Sequence, residues 1–159
     1  MENKYTKIER KLPLIPLRGL AIFPYMILNF DIGREVSLKA LDEAMLADEL
    51  IFLTSQKEAE IDEPTEEDFY HVGTICKVKQ MIKLPGDTVR VLVEGISRGT
   101  IEEINQDKGY FEAVIDEIVY NEDEIDEMIM LIRDSFIPAF IVLRDMLVKK
   151  LDVVESDWV

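Results

Sequence analysis

Along the first 120 residues, apolar positions recur mostly at every second place, the signature of strands with one buried face, and only once at helical spacing. From Leu12 the run LPLIPLRG interleaves apolar residues with prolines, which cannot donate to a ladder, so Lys11–Ile15 is predicted as a short edge strand. Phe23 and Pro24 interrupt the chain, Met26–Phe30 forms a second short apolar run, and Gly33 closes it as a turn. The intervening loop, Arg18–Tyr25, is unusually apolar for a loop. After it, Val36, Ala40, Leu41, Ala44 and Met45 repeat at helical spacing, with Lys39, Asp42 and Glu43 on the opposite side, predicting an amphipathic helix. Leu50–Thr54 follows as a buried strand, and Lys57–Asp68, acidic and holding Pro64, as a solvated loop.

A longer strand begins at Val72, with Val72, Thr74, Cys76, Val78, Gln80 and Ile82 on one face. Pro85-Gly86-Asp87 supplies turn chemistry before Thr88–Glu94, so the two strands form a hairpin. Gly95 and Gly99 permit bends, and Thr100–Asn105 pairs with Tyr110–Val119 across a turn at Asp107-Lys108-Gly109. Successive hairpins of this kind curl into a small barrel. At Asn121 the pattern changes: Asn121 and Glu124 resemble a capping box, and Ile125, Met128, Ile129, Ile132 and Phe136 hold helical spacing. Pro138 should break or kink that helix. The expectation is a mainly β domain over residues 1–120, an antiparallel pseudo-barrel with one packed helix, and a helical extension over 121–159.

Charge narrows the partners. The chain carries a formal −15, and the acidity is concentrated late: residues 1–100 hold 17 acids and 13 bases, residues 101–159 hold 16 acids and 5 bases. Such a field repels phosphate backbones, so nucleic acid is an unfavourable partner. Cys76 is the single cysteine, which excludes an internal disulfide and fits a reducing, cytoplasmic setting. The charged amino terminus does not resemble a secretory signal. Phe136–Leu143 is too short and too closely flanked by charge to span a bilayer, so no membrane is expected.

Candidate chemistry is sparse. His71 and Cys76 stand five residues apart without further ligands nearby, whereas a structural zinc needs about four, so no metal site is expected. Cys76 suits a small buried hydrophobe, and His71 a position before its strand, in solvent or bonded to backbone. The acidic pairs Glu66-Glu67 and Glu102-Glu103 suit a solvated surface rather than acid–base work, because neighbours on a strand point to opposite faces.

Three ordered blocks carry a family resemblance. LPLIPLRGLAIFPYMILNFDIGREVSLKALDEAM (residues 12–45), IFLTSQKEAEIDEP (51–64) and YHVGTICKVKQMIKLPGDTVRVLVEGISR (70–98) resemble the opening of bacterial Lon proteases. The shared marks are the LPL-PLR beginning, the FP pair, a glycine-arginine before the first helix, VGT, a KQ pair, and VLVEG ahead of an arginine. The resemblance runs over about Lys11–Ile118, with Asp126–Phe136 a diverged continuation. It implies a PUA-like pseudo-barrel that selects protein substrates and contributes to contacts between subunits, ahead of an ATPase module and a serine-lysine peptidase. The chain holds neither a glycine-rich phosphate loop ending in GK[ST] nor the peptidase motif, so it is expected to be non-catalytic and without cofactor. Its implied partners are unfolded or damaged proteins and other Lon subunits. Two other readings stay open: a free-standing LON-domain adaptor or regulator, and an RNA-binding PUA-like module using Lys77, Lys79, Lys83 and Arg90.

A domain that holds unfolded chains needs accessible apolar surface or an open strand edge. Ile22, Phe23, Tyr25 and Met26 in the proline-bounded loop, with Met81 and Leu84 beside the Pro85-Gly86 turn, are the candidate substrate-binding residues. Phe140, Leu143, Met146 and Leu147 are the candidates for self-association.

Overall fold

The computed structural model of the chain describes residues 5–120, and Tyr5–Val119 forms one compact unit. Its elements in order are β1 (Tyr5–Leu17), β2 (Ile27–Ile32), α1 (Glu35–Leu46), β3 (Leu50–Ser55), a single 3-10 turn (Glu66–Asp68), β4 (Val72–Leu84), β5 (Thr88–Asn105) and β6 (Phe111–Tyr120). The helical extension predicted from Asn121 onward, with Phe140, Leu143, Met146 and Leu147, lies outside the described residues.

The six strands form one sheet in the order β2-β5-β4-β3-β1-β6, and β6 pairs again with β5, so five strands close into a ring. The pairs β2/β5, β3/β4, β4/β5 and β5/β6 are antiparallel, while β1 and β3 run parallel, Leu14 opposite Phe52 through Leu17 opposite Ser55. A parallel pair needs a crossover, and β2 with α1 supplies it.

Alternation along the strands builds two cores. On β3, Ile51 and Leu53 face α1, and join Ile15, Leu17, Ile32, Cys76, Val78, Val91 and Val93. Phe52, between them in sequence, faces the opposite way into the ring with Leu14, Ile75, Ile101, Phe69 and Phe111. Phe69 and Phe111 meet edge to face at 5.0 Å, an arrangement favoured by the ring quadrupoles. Gly73 and Gly99 make room for Phe52: a Cβ on Gly73 would stand 2.5 Å from its ring, and one on Gly99 3.2 Å. Ser37, Ala40, Leu41 and Ala44 form the buried stripe of α1, and the two alanines let the helix approach the sheet closely. Met45, assigned by spacing to that stripe, is exposed, one step past the edge of the contact.

Two boundaries differ most from the sequence expectation, while β1 also runs on to Leu17 and β2 is displaced to Ile27–Ile32. β1 begins at Tyr5 rather than Lys11, because its polar first half is held to β6 by side chains: Lys7 to Asp116 and Lys11 to Glu112, both at 2.8 Å, and Arg10 to the buried Glu117. β5 runs through Gly95 and Gly99 without ending. The β4/β5 ladder absorbs the irregularity as two register shifts, one that skips Ile96 of β5 opposite Ile75/Cys76 and one that skips Lys79 of β4 between Val78 and Gln80.

A strained apolar loop tip as the candidate binding site

The loop from Arg18 to Met26 joins β1 to β2 and is pinned at its middle. Ile22 is buried, and its carbonyl accepts hydrogen bonds from the Thr74 hydroxyl at 2.7 Å and from Arg98 Nη1 at 3.3 Å. Arg98 Nη1 also donates to Thr74 Oγ1 at 2.8 Å. The same guanidinium lies 5.1 Å from the centre of the Phe23 ring, a cation–π contact that braces the aromatic from beneath.

Beyond Ile22 the chain turns sharply. Met26 N–H donates to the Phe23 carbonyl at 3.2 Å, Pro24 occupies the second turn position, and Tyr25 the third with φ of 67°. These are the marks of a type II turn, whose third position favours glycine because a Cβ is crowded there. Tyr25 N–H donates to the Gly95 carbonyl and Gly95 N–H donates to the Met26 carbonyl, both at 2.8 Å, so the turn enters β2 through a bulge with Tyr25 in its left-handed slot. Gly95 itself must lack a side chain, since a Cβ would sit 2.3 Å from the Phe23 carbonyl oxygen.

The turn holds apolar side chains out of the core. Tyr25 is 88% exposed, Ile27 66% and Phe23 51%, with Met26, Leu20 and Ile96 exposed beside them in sequence or register. Next to Phe23 a cleft of about 270 Å³ is walled by Ala21, Tyr70, Val72 and Arg98. A bulky aromatic in a strained backbone position, with almost no packing of its own, is poor design for stability and sensible for contact with a partner.

Of the six residues that the sequence offers as candidates, the structure gathers Phe23, Tyr25 and Met26 at the tip. Ile22 anchors the tip from inside the core and presents no surface. Met81 is half-buried against the larger core cluster, opposite Val91, and Leu84 pairs with Thr88. Thr88 is seven residues from Gly95 along β5, roughly 20 Å at the rise of a strand, so Leu84 belongs to the far end of that hairpin. Ile27, Ile96, Tyr70 and Val72 join the exposed apolar surface without having been expected from the sequence. Ile27 was legible: it shares a strand face with Asn29 and Asp31, whose polarity marks that face as outward.

The basic strip considered for RNA is largely neutralised. Lys77 is paired with Glu49 at 3.6 Å, Lys79 with Glu94 at 2.5 Å, and Arg90 grips Asp31 with two hydrogen bonds of 2.7 and 2.9 Å. Cys76 is fully buried, and burial pushes its thiol up to about 12, so it is a protonated, unreactive core residue at neutral pH. His71 is exposed directly before β4.

Comparison with known proteins agrees with this fold. The model of the ATP-dependent protease La (LON) substrate-binding domain matches residues 11–155. The chain is 79% identical over 126 residues to the Lon protease of Clostridioides difficile (strain 630), covering 79% of this chain and 16% of that protein. It is 44% identical over 120 residues to Lon protease 1 of Bacillus subtilis (strain 168), covering 76% and 15%. The chain thus spans about a sixth of the length of the curated relatives it matches. Among solved structures, the N-terminal domain of Mycobacterium avium complex Lon protease superposes with a TM-score of 0.53 at 16% identity, over 92% of this chain and 75% of that one. The Lon N-terminal domain protein from Xanthomonas campestris gives 0.51 at 12%, over 71% and 60%. The ring of strands and its crossover helix are therefore those of a Lon amino-terminal domain, and the chain belongs to the LON substrate-binding domain family.

Proposed function

We propose that this chain captures unfolded or damaged proteins for an ATP-dependent Lon-type serine protease acting in cytoplasmic protein quality control, through the exposed tip formed by Phe23, Tyr25, Met26 and Ile27. The observation that carries the reading is Tyr25, held 88% exposed at a φ of 67° where glycine would be less strained. Unfolded chains differ from folded ones in displaying apolar side chains, and an uncharged cluster on a protein of net charge −15 is where these find a match. Aromatic and methionine side chains repack around varied sequences, which suits a domain that must accept many partners. The chemistry of proteolysis belongs in this reading to modules outside the chain. Contact with other subunits is assigned to the segment after residue 120, with Phe140, Leu143, Met146 and Leu147 as its apolar residues.

The test is fluorescence anisotropy of a labelled protein, reduced and carboxymethylated α-lactalbumin, titrated with the full chain, against its native form as control. Preferential binding of the unfolded form, weakened by combined serine substitution of Phe23 and Tyr25 with unchanged circular dichroism, is the expected result. Equal binding by that variant would remove the tip as the site.

A further inference from the structure

The tip explains how apolar side chains are met, but not how the backbone of a captured chain is held. Among the described residues, β2 has a neighbour on one side only, β5, while every other strand of the sheet has at least two. In an antiparallel ladder alternate residues point their N–H and C=O groups at the partner, and the others point them away. Counted from the bond between Gly95 N–H and the Met26 carbonyl, Ile27, Asn29 and Asp31 direct theirs away from β5.

That edge borders a built groove. A cleft of about 450 Å³ is lined by Phe30, Asp31 and Ile32 of β2 on one side and by Ile15, Pro16 and Leu17 of β1 on the other. The ion pairs from β1 to β6, at Lys7, Arg10 and Lys11, all lie earlier in the strand, so the cleft is a seam where β1 and β2 approach without pairing. Arg18 and Arg34 also line it. Arg18 is satisfied by Asp62 at 2.6 Å, and Asp31 is taken by Arg90. Arg34 donates to neutral oxygens, Gln56 Oε1 at 3.0 Å and the Ile61 carbonyl at 3.2 Å. Its Nη1 is the one buried side-chain polar atom without a partner among the described residues. Burial, then the nearby charge of Arg18, pulls the guanidinium below its ordinary value. A positive group in want of an acceptor stands at the end of an apolar seam.

Resting on the capture reading above, we propose that an extended segment of an unfolded protein adds to β2 as a further strand, seating alternate apolar side chains in the seam between β2 and β1 and a carboxylate near Arg34. An open edge supplies sequence-independent hydrogen bonds, and the seam supplies pockets for every second side chain. The six residues of β2 set the length of the segment, and the tip lies at the start of the same strand, so tip and edge form one continuous track.

The full chain is titrated with a short labelled peptide of alternating leucine and serine ending in aspartate, and with the same peptide N-methylated at every second amide. Methylation on the alternate set that faces β2 should weaken binding about tenfold or more, because each methyl removes a hydrogen-bond donor from the ladder. Methylation on the other set should leave it unchanged. Asn29→Pro, which removes an outward N–H and leaves the β5 ladder intact, should reproduce the loss. Equal affinity for all three peptides overturns the proposal whether or not Asn29→Pro folds. Capture by the tip would survive that outcome, since serine at Phe23 and Tyr25 tests it separately. Self-association abolished by Asn29→Pro, with peptide binding unaffected, would assign the edge to a second copy and overturn the proposal as well.

Discussion

Tyr25 should be a residue whose removal makes the protein more stable and less able to bind. Its φ of 67° places an L-residue where the Cβ crowds the following carbonyl, at about 1–2 kcal/mol. With 88% of its surface exposed, replacing the side chain forfeits little packing. Glycine at this position relieves the crowding but returns roughly 0.5–1 kcal/mol to the unfolded chain as entropy. The net for Tyr25→Gly is a gain of about 0.5–1 kcal/mol, or roughly 2–4 °C in Tm for a unit of this size. Tyr25→Asn, tolerant of the left-handed region without the entropy of glycine, should behave similarly. Both variants are compared by reversible thermal and urea unfolding, and by anisotropy with the carboxymethylated α-lactalbumin. The expected pairing is a raised Tm with weakened capture. A lowered Tm would show that Tyr25 makes stabilising contacts that outweigh its strain. A raised Tm with undiminished capture would refute the link between strain and binding.

Gly95→Ala forces a Cβ against the Phe23 carbonyl and should cost about 1–3 kcal/mol, displacing the tip and weakening capture, read by urea midpoint and anisotropy together. Phe52→Ala empties the ring interior and should cost about 3–5 kcal/mol in urea unfolding, the range for a large buried aromatic. Because the Cys76 thiol is raised by burial from 9.0 to about 12, the folded state holds that proton more tightly than the unfolded chain. The resulting stability is complete below pH 9 and falls as pH rises towards 12, with a limiting slope of about 1.4 kcal/mol per unit. Cys76→Val should remove that part of the slope in urea midpoints measured from pH 8 to 10.

Among the described residues, local patterning settled most of the elements and left their assembly open. Ala40, Leu41 and Ala44 specify a helix with one buried stripe whatever it packs on, and the alternation around Val89, Val91 and Val93 specifies a half-buried strand. The LPL-PLR, FP, VGT and VLVEG blocks, in that order along the chain, are enough to point to the family. Nothing local, however, tells Met81 from Met26. Both are methionines near a proline-containing turn, yet one packs against the core and the other is exposed, because sheet order decides which faces are covered. The same holds for Gly95, which looks like a strand breaker and is instead the point where the Phe23 turn presses against β5. That β2 is an edge, and that β1 meets it across a seam with Arg34 at one end, depends on which strands pair over long separations. Periodicity is a property of neighbours along the chain and carries no information about partners across the sheet. The sequence by itself therefore determined the family, most of the elements and the apolar character of the loop; only the tertiary structure decided which apolar side chains remain outside and which strand, among the described residues, pairs on one side only.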